Sequence, residues 1–253
     1  MRITVITPTY NESENLPKLI GALLALPLDL SILVVDDNSP DGTGRIADEL
    51  AAQHPGRVSV MHRAGKLGLG SAYLQGFQKA FALGAEAVAQ MDADFSHEPA
   101  KLVDMAKALE THDVVLGSRY VPGGSVDQRW PIWRKALSAW GNFYARAVLG
   151  FGLRDVTTGY RLWRREALEG MDLENIRSGG YVFLVEMAYL AYCLEYRFAQ
   201  VPIHFQDRRF GTSKMSLKIQ LEAALRVWQV RWANRALKSA GRSARSSSFP
   251  AAT

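Results

Sequence analysis

The chain has 253 residues, 48% of them hydrophobic and 22% charged, with a formal net charge of +5 and a single cysteine. That length buries a sizeable core and suits one soluble, globular α/β domain with a C-terminal appendage, and one cysteine excludes a disulfide framework. From Gln206 to the end, ten Lys/Arg stand against two Asp/Glu, so that stretch carries +8 and the remainder −3, which places the basic partner surface at the C-terminus.

The N-terminus opens directly into Ile3-Thr4-Val5-Ile6, without a charged region followed by a long apolar one, so no secretory signal is expected. β-Branched runs at Ile3 to Thr7, Ser31 to Asp36, Val58 to His62, Ala87 to Asp92 and Val114 to Gly117 read as strands. Between them, Glu14 to Leu26, Thr43 to Gln53, Leu69 to Leu83 and Pro99 to Leu109 carry helical spacing. This alternation predicts a Rossmann-like, mostly parallel sheet flanked by helices, with ligands at the carboxyl ends of the strands. After Tyr120 come a Gly/Pro/Arg/Trp-rich stretch from Pro122 to Lys135, an amphipathic segment from Ala136 to Leu149 and a last strand from Phe198 to Phe205. A helix from Ser216 to Leu237 and an Arg/Ser tail, expected to be disordered, complete the chain. The resulting division is a donor half over 1–120, an acceptor half over 121–215, an amphipathic helix over 216–238 and a basic tail over 239–253. Glu186 and Arg231 interrupt the most apolar stretches, so none reaches the roughly 18 residues a membrane span needs. Any membrane contact is then peripheral and cytoplasmic, and Cys193, in the apolar stretch Tyr189 to Tyr196, reads as a core residue in a reducing compartment.

Asp92-Ala93-Asp94 closes an apolar strand and so holds two carboxylates at a sheet edge. Hard divalent cations share oxygen ligands between such carboxylates and substrate phosphates; an Asp capping the next helix is the competing reading. Two further acidic, turn-rich strand ends converge with it, Thr7-Pro8-Thr9-Tyr10-Asn11-Glu12 and Val35-Asp36-Asp37-Asn38-Ser39-Pro40-Asp41-Gly42-Thr43. A Pro-Asp-Gly turn explains Pro40 to Thr43 but not the Asp36-Asp37 pair, while Tyr10 and Glu12 also fit an exposed turn and a helix N-terminal charge. His97 reads as a polar turn residue in preference to a ligand or base. Lys66 precedes glycines whose spacing matches neither the Walker pattern nor the dinucleotide fingerprint.

These strand ends resemble the family 2 glycosyltransferases of the GT-A fold and, within them, the dolichol- and polyprenol-phosphate mannose synthases. The same resemblance runs through Gly68-Leu69-Gly70-Ser71-Ala72-Tyr73, Gly117-Ser118-Arg119-Tyr120, Asp155-Val156-Thr157-Thr158-Gly159-Tyr160-Arg161, Gly180-Tyr181-Val182-Phe183 with Glu186, and Val201-Pro202-Ile203 leading to Arg208, Gly211, Ser213 and Lys214. It implies that Pro8, Tyr10, Glu12, Val35 and Asp37 hold the nucleoside of GDP-mannose and that Asp92, Ala93 and Asp94 meet the ribose-diphosphate. Asp94, with Asp92, would ligate Mg²⁺ or Mn²⁺, and Ser96 stands where some relatives carry a Gln ligand. Arg208 and Lys214 would neutralise the departing diphosphate, and Arg119, Arg134 and Ser138 would meet the phosphate of a dolichyl or polyprenyl acceptor.

A phosphate acceptor fits the residues. An alcohol needs a general base at neutral pH, whereas a phosphate monoester, with a second pKa of about 6, is already mostly dianionic and needs only cations around it. Trp130, Trp133 and Trp140 in one segment, and Trp228 and Trp232 in another, alternate with arginines, the composition of interfacial helices. For the second segment, docking of an amphipathic helix on the core is equally open. A chain without its own span is also compatible with a membrane-embedded partner subunit. The alternatives are a glucosyl- or other hexosyltransferase to polyprenyl phosphate or to a saccharide, and a basic nucleic-acid-binding module. The latter is disfavoured because Asp36, Asp37, Asp92 and Asp94 would repel a polyphosphate backbone.

Overall fold

A computed structural model describes residues 1–176, 178–207, 217–235 and 237. In its first half, strands β1 (Ile3–Thr9), β2 (Leu30–Asp36), β3 (Val58–His62), β4 (Ala87–Gln90) and β5 (Val114–Ser118) alternate with helices α1 (Leu16–Leu24), α2 (Thr43–Gln53), α3 (Leu69–Ala82) and α4 (Lys101–Leu109). The second half adds β6 (Ser125–Val126), α5 (Ile132–Leu149), β7 (Arg161–Arg164), α6 (Arg165–Glu169), α7 (Gly180–Cys193), β8 (Phe198–Pro202), β9 (His204–Phe205) and α8 (Leu217–Ala233).

Seven strands form one sheet in the order β3-β2-β1-β4-β7-β5-β8. All pairings are parallel except those of β7, which runs antiparallel to both β4 and β5. β7 escapes sequence reading because it is four residues long and bounded by arginines. The expected single strand from Phe198 to Phe205 is two, because the chain leaves the main sheet after Pro202 and pairs β9 with β6 in a separate parallel ribbon.

Strands buried on both faces account for the near-continuous apolar runs. One face packs Ile6, Leu33, Val35 and Trp163 against Tyr73 and Phe77 of α3 and Phe183 of α7. The other packs Ile3, Val5, Ile32 and Val34 against Leu16 and Ile20 of α1 and Met105 and Leu109 of α4. α7 is apolar around nearly its whole circumference because it lies in the core, so it lacks the 3.6-residue stripe that betrays a surface helix.

Two glycines set the helix positions. A Cβ at Gly76 would lie 2.9 Å from Ile6 Cγ2, and one at Gly70 would lie 2.9 Å from Phe183 Cδ2, so α3 reaches the sheet and α7 only where side chains are absent. The glycine-rich start of α3 therefore serves packing. α8 joins the core through buried Val227 and Val230, each worth about 1.5–3 kcal/mol of burial. Trp228 Nε1 donates to Tyr144 Oη at 3.0 Å, and that hydroxyl donates to Ala224 O, also at 3.0 Å. Arg231 donates to the Val148 carbonyl. The docked-helix reading thus holds for this face of α8. The expected basic tail over 239–253 lies outside the described residues.

Candidate active site

Adjacent parallel strands β2, β1 and β4 deliver the three acidic ends to one rim. Asp36 and Asp37 divide their labour. Asp36 anchors its own turn, accepting from Ser39 Oγ at 2.6 Å, Ser39 N at 3.1 Å and Thr9 Oγ1 at 3.1 Å. Asp37 N donates to Thr9 O at 3.0 Å, and its carboxylate meets buried Arg63 Nη1 at 2.7 Å. Burial pushes the Asp37 carboxyl above its ordinary range while Arg63 opposes the rise. Arg63, which also donates to Ser71 Oγ at 2.5 Å, was not singled out from sequence; its position just past β3, beside two other strand ends, is the signal that marks it.

Pro8 pairs with Val35 across β1 and β2. The Val35 side chain is in the core, so any ligand contact by Val35 would run through its backbone. Tyr10 is exposed, with the Lys66 ammonium 4.3 Å from its ring centre. Glu12 accepts from Asn15 Nδ2 at 2.9 Å, and its own N–H donates to Thr43 Oγ1 at 2.9 Å. Asp41, by accepting from Thr43 and Ser13, locks this turn against the next.

After β4 the chain turns sharply, with Phe95 at φ 58°. Ala93, Asp94, Ser96 and His97 are buried. Asp94 Oδ1 accepts from Ser96 N at 3.0 Å. His97 stacks on Tyr160 with ring centres 5.0 Å apart, and Asp92 N donates to its Nδ1 at 3.3 Å. Burial lowers the His97 pKa, keeping the ring neutral and able to accept that bond. His97 thus packs inside the turn, between Asp92 N and the Tyr160 ring. Among the described residues no group of three or more His, Cys, Asp or Glu is arranged to hold a metal, but two carboxylates suffice when a diphosphate supplies the remaining oxygens. The buried Ser96 Oγ has no hydrogen-bond partner among the described residues, an oxygen available beside the pair.

The other wall carries Arg119 and Arg134, each paired with a carboxylate. Arg119 forms a fork with buried Asp155, both contacts at 2.7 Å, and its Nη2 donates to Thr157 Oγ1 at 2.8 Å. Asn142 joins Thr157 Oγ1 at 3.0 Å to the Ser138 carbonyl at 3.0 Å, and Tyr120 Oη donates to Ser138 Oγ at 2.7 Å. Arg119 and Ser138 thus belong to one network, whose members Asp155, Asn142 and Tyr120 had no assigned role from sequence. Arg134 stands 3.1 Å from Asp207 and 3.9 Å above the Trp130 ring. The two walls touch, since a Cβ at Gly159 would lie 3.6 Å from Asp92 Oδ2. Buried Arg161 holds that loop by donating to the carbonyls of Val156, Thr158 and Leu184; burial pulls its pKa down to about 9, so it stays charged at neutral pH. Arg208 and Lys214 lie outside the described residues.

Residues 4–171 match the model of the glycosyl transferase family 2, and the chain belongs to that family. It is an enzyme of the glycosyltransferase class on a GT-A fold. Among its relatives, the polyprenol monophosphomannose synthase of Mycolicibacterium smegmatis is 47% identical over 233 residues, covering 91% of this chain and 88% of the relative. The undecaprenyl-phosphate mannosyltransferase of Micrococcus luteus is 46% identical over 232 residues, covering 92% and 94%. A mannosyltransferase from Pyrobaculum calidifontis, solved with GDP-Man and Mn²⁺, superposes with a TM-score of 0.56 at 18% identity, covering 98% of this chain and 76% of that one. A glucosyl-3-phosphoglycerate synthase from Mycobacterium tuberculosis, solved with Mn²⁺, UDP and its product, gives 0.59 at 18% identity, covering 90% and 78%.

Proposed function

We propose that the protein transfers mannose from GDP-mannose to the phosphate of a polyprenyl or dolichyl phosphate, inverting the anomeric carbon and releasing GDP. The observation that carries this reading is the meeting of two unlike walls at one rim: Asp92 and Asp94 on one side, and on the other the Arg119 network, which Gly159 brings against Asp92. The names of the two mannosyl-transferring relatives, each matched over about nine-tenths of this chain, support the sugar and the acceptor.

Asp92 and Asp94 would hold a divalent cation, with Ser96 Oγ as the adjacent oxygen; when bound, that cation neutralises the diphosphate as it leaves. Asp37 faces the nucleoside, and its ion pair with Arg63 fixes the carboxylate direction. Arg119, Arg134 and Ser138 orient the acceptor phosphate for in-line attack on the anomeric carbon. No base is required, because the nucleophile arrives ionised. Arg208 and Lys214 would complete the charge around the leaving group.

GDP or GDP-mannose is expected to raise the melting temperature only when Mn²⁺ or Mg²⁺ is present, since stabilisation follows affinity. An equal shift in the presence of a chelator removes Asp94 from donor binding. A panel of radiolabelled sugar nucleotides with a polyprenyl phosphate, read as lipid-linked product, decides donor and acceptor together.

Among the described residues no helix is long and apolar enough to cross a membrane. Contact with the bilayer would run through outward residues of two adjoining helices, Ile132, Trp133, Trp140 and Phe143 of α5 and Leu225 and Trp232 of α8. The buried Cys193, the single cysteine of the chain, fits a reducing, cytoplasmic side. Trp133→Ser with Trp140→Ser is expected to weaken binding to anionic vesicles by about tenfold or more while leaving the melting temperature in place. Unchanged vesicle binding would shift the contact elsewhere.

A further inference from the structure

Arg134, the cation expected at the acceptor phosphate, is already held from two sides. Its guanidinium lies 3.9 Å over the Trp130 ring, and Nη1 donates to the Asp207 carboxylate at 3.1 Å. An ion pair between partly exposed side chains is ordinarily loose, since both ends wander. Here one end is fixed. Asp207 N donates to Asp127 Oδ2 at 3.0 Å, and the preceding Gln206 N donates to Ser96 O at 3.3 Å, beside the Asp94 turn. Asp127 is gripped through both oxygens by Arg129, Nη2 to Oδ2 being 2.6 Å, and it also accepts Arg129 N at 2.9 Å. Hydrogen bonds from Arg129 hold its carboxyl well below the usual carboxylate range, so the anchor of Asp207 stays ionised. The backbone that carries the Asp207 carboxylate is therefore held beside Arg134, in the same short segment that touches the Ser96 turn.

We infer that Asp207 is a specificity-determining residue, a carboxylate that occupies the anion position of Arg134 until the acceptor phosphate displaces it. This rests on the reading of Arg134 as an acceptor contact. A monoanionic placeholder sets a threshold. A phosphate monoester dianion, with more charge and more acceptor oxygens, outcompetes it at an arginine fork. A phosphodiester monoanion does not, and phosphodiesters are the headgroups that crowd a bilayer surface. Discrimination is thus achieved by a repulsive element beside the attractive one.

The test compares wild type with Asp207→Asn, which keeps an acceptor oxygen but loses the charge, and with Asp207→Ser, which loses both. Transfer from radiolabelled GDP-mannose to a short-chain polyprenyl phosphate is measured in detergent, with and without phosphatidylglycerol. Both variants are expected to lower the acceptor KM about three- to tenfold and to become inhibited by phosphatidylglycerol at levels wild type ignores. In an Arg134→Ala background, Asp207→Asn is expected to leave the acceptor KM unchanged, because its effect on the acceptor runs through Arg134. An acceptor KM that stays the same or rises in both variants, with wild type active, overturns the placeholder alone. Wild type that transfers nothing to polyprenyl phosphate overturns the acceptor reading, and the placeholder falls with it.

Discussion

Asp94→Asn is expected to lower turnover by about three orders of magnitude, the scale seen when one group stabilising a developing charge is removed. The fold predicts that this loss is chemical. Asp94 Oδ1 accepts the Ser96 amide at 3.0 Å, and an Asn carbonyl oxygen can accept the same bond, so the turn after β4 survives. What disappears is the negative charge at a buried position on the rim, and with it the metal-dependent thermal shift produced by GDP. Steady-state transfer and GDP melting curves on the same preparation separate the two effects. Turnover within tenfold of wild type would remove Asp94 from the reaction.

Asp155→Ala acts through a different term. Asp155 is fully buried and accepts three bonds from Arg119, from its amide at 2.9 Å and from Nε and Nη2 at 2.7 Å each. Deleting one member of a buried ion pair leaves the other charge desolvated, at a cost of about 3–5 kcal/mol, which urea denaturation measures directly. Transfer activity is expected to fall as well, because Arg119 loses the fork that aims it beside Thr157. The double variant Arg119→Met with Asp155→Leu tests the reasoning. Stability should return toward wild type, since an apolar pair of similar volume often replaces a buried ion pair without loss, whereas transfer should stay low. A double variant as unstable as Asp155→Ala would mean that the cost lies in packing or in the Arg119 amide left without its acceptor, and not in the charge.

The first half of the chain was legible because its information is local. Each strand-to-turn passage from Thr7 to Glu12, Val35 to Thr43 and Met91 to Asp94 writes its acid next to its strand, and parallel β-α alternation places all such ends on one rim. The Asp36-Asp37 pair was legible as a pair; that Asp36 anchors its own turn while Asp37 pairs with an arginine depends on Ser39 and on Arg63, the latter 26 residues away from Asp37. The second half was harder to read. Arg119 meets Asp155 across 36 residues and Arg134 meets Asp207 across 73, and no period or spacing encodes such a partnership. α7 was hidden for the opposite reason, being too uniformly apolar to show a face. On α8 the docked and exposed sides are distinct, with Val227 and Val230 turned inward and Leu225 and Trp232 outward.

The reversed strand β7 has an architectural consequence. In a uniformly parallel sheet, only strand exits meet at the ligand-bearing edge, and each exit leads away into a helix. A single strand run backwards contributes an entrance there instead, so the segment from Asp155 to Tyr160 arrives between the exits of β4 and β5. Substitutions in that short approach would therefore alter the rim between β4 and β5 while leaving the ends of β1 and β2 as they stand.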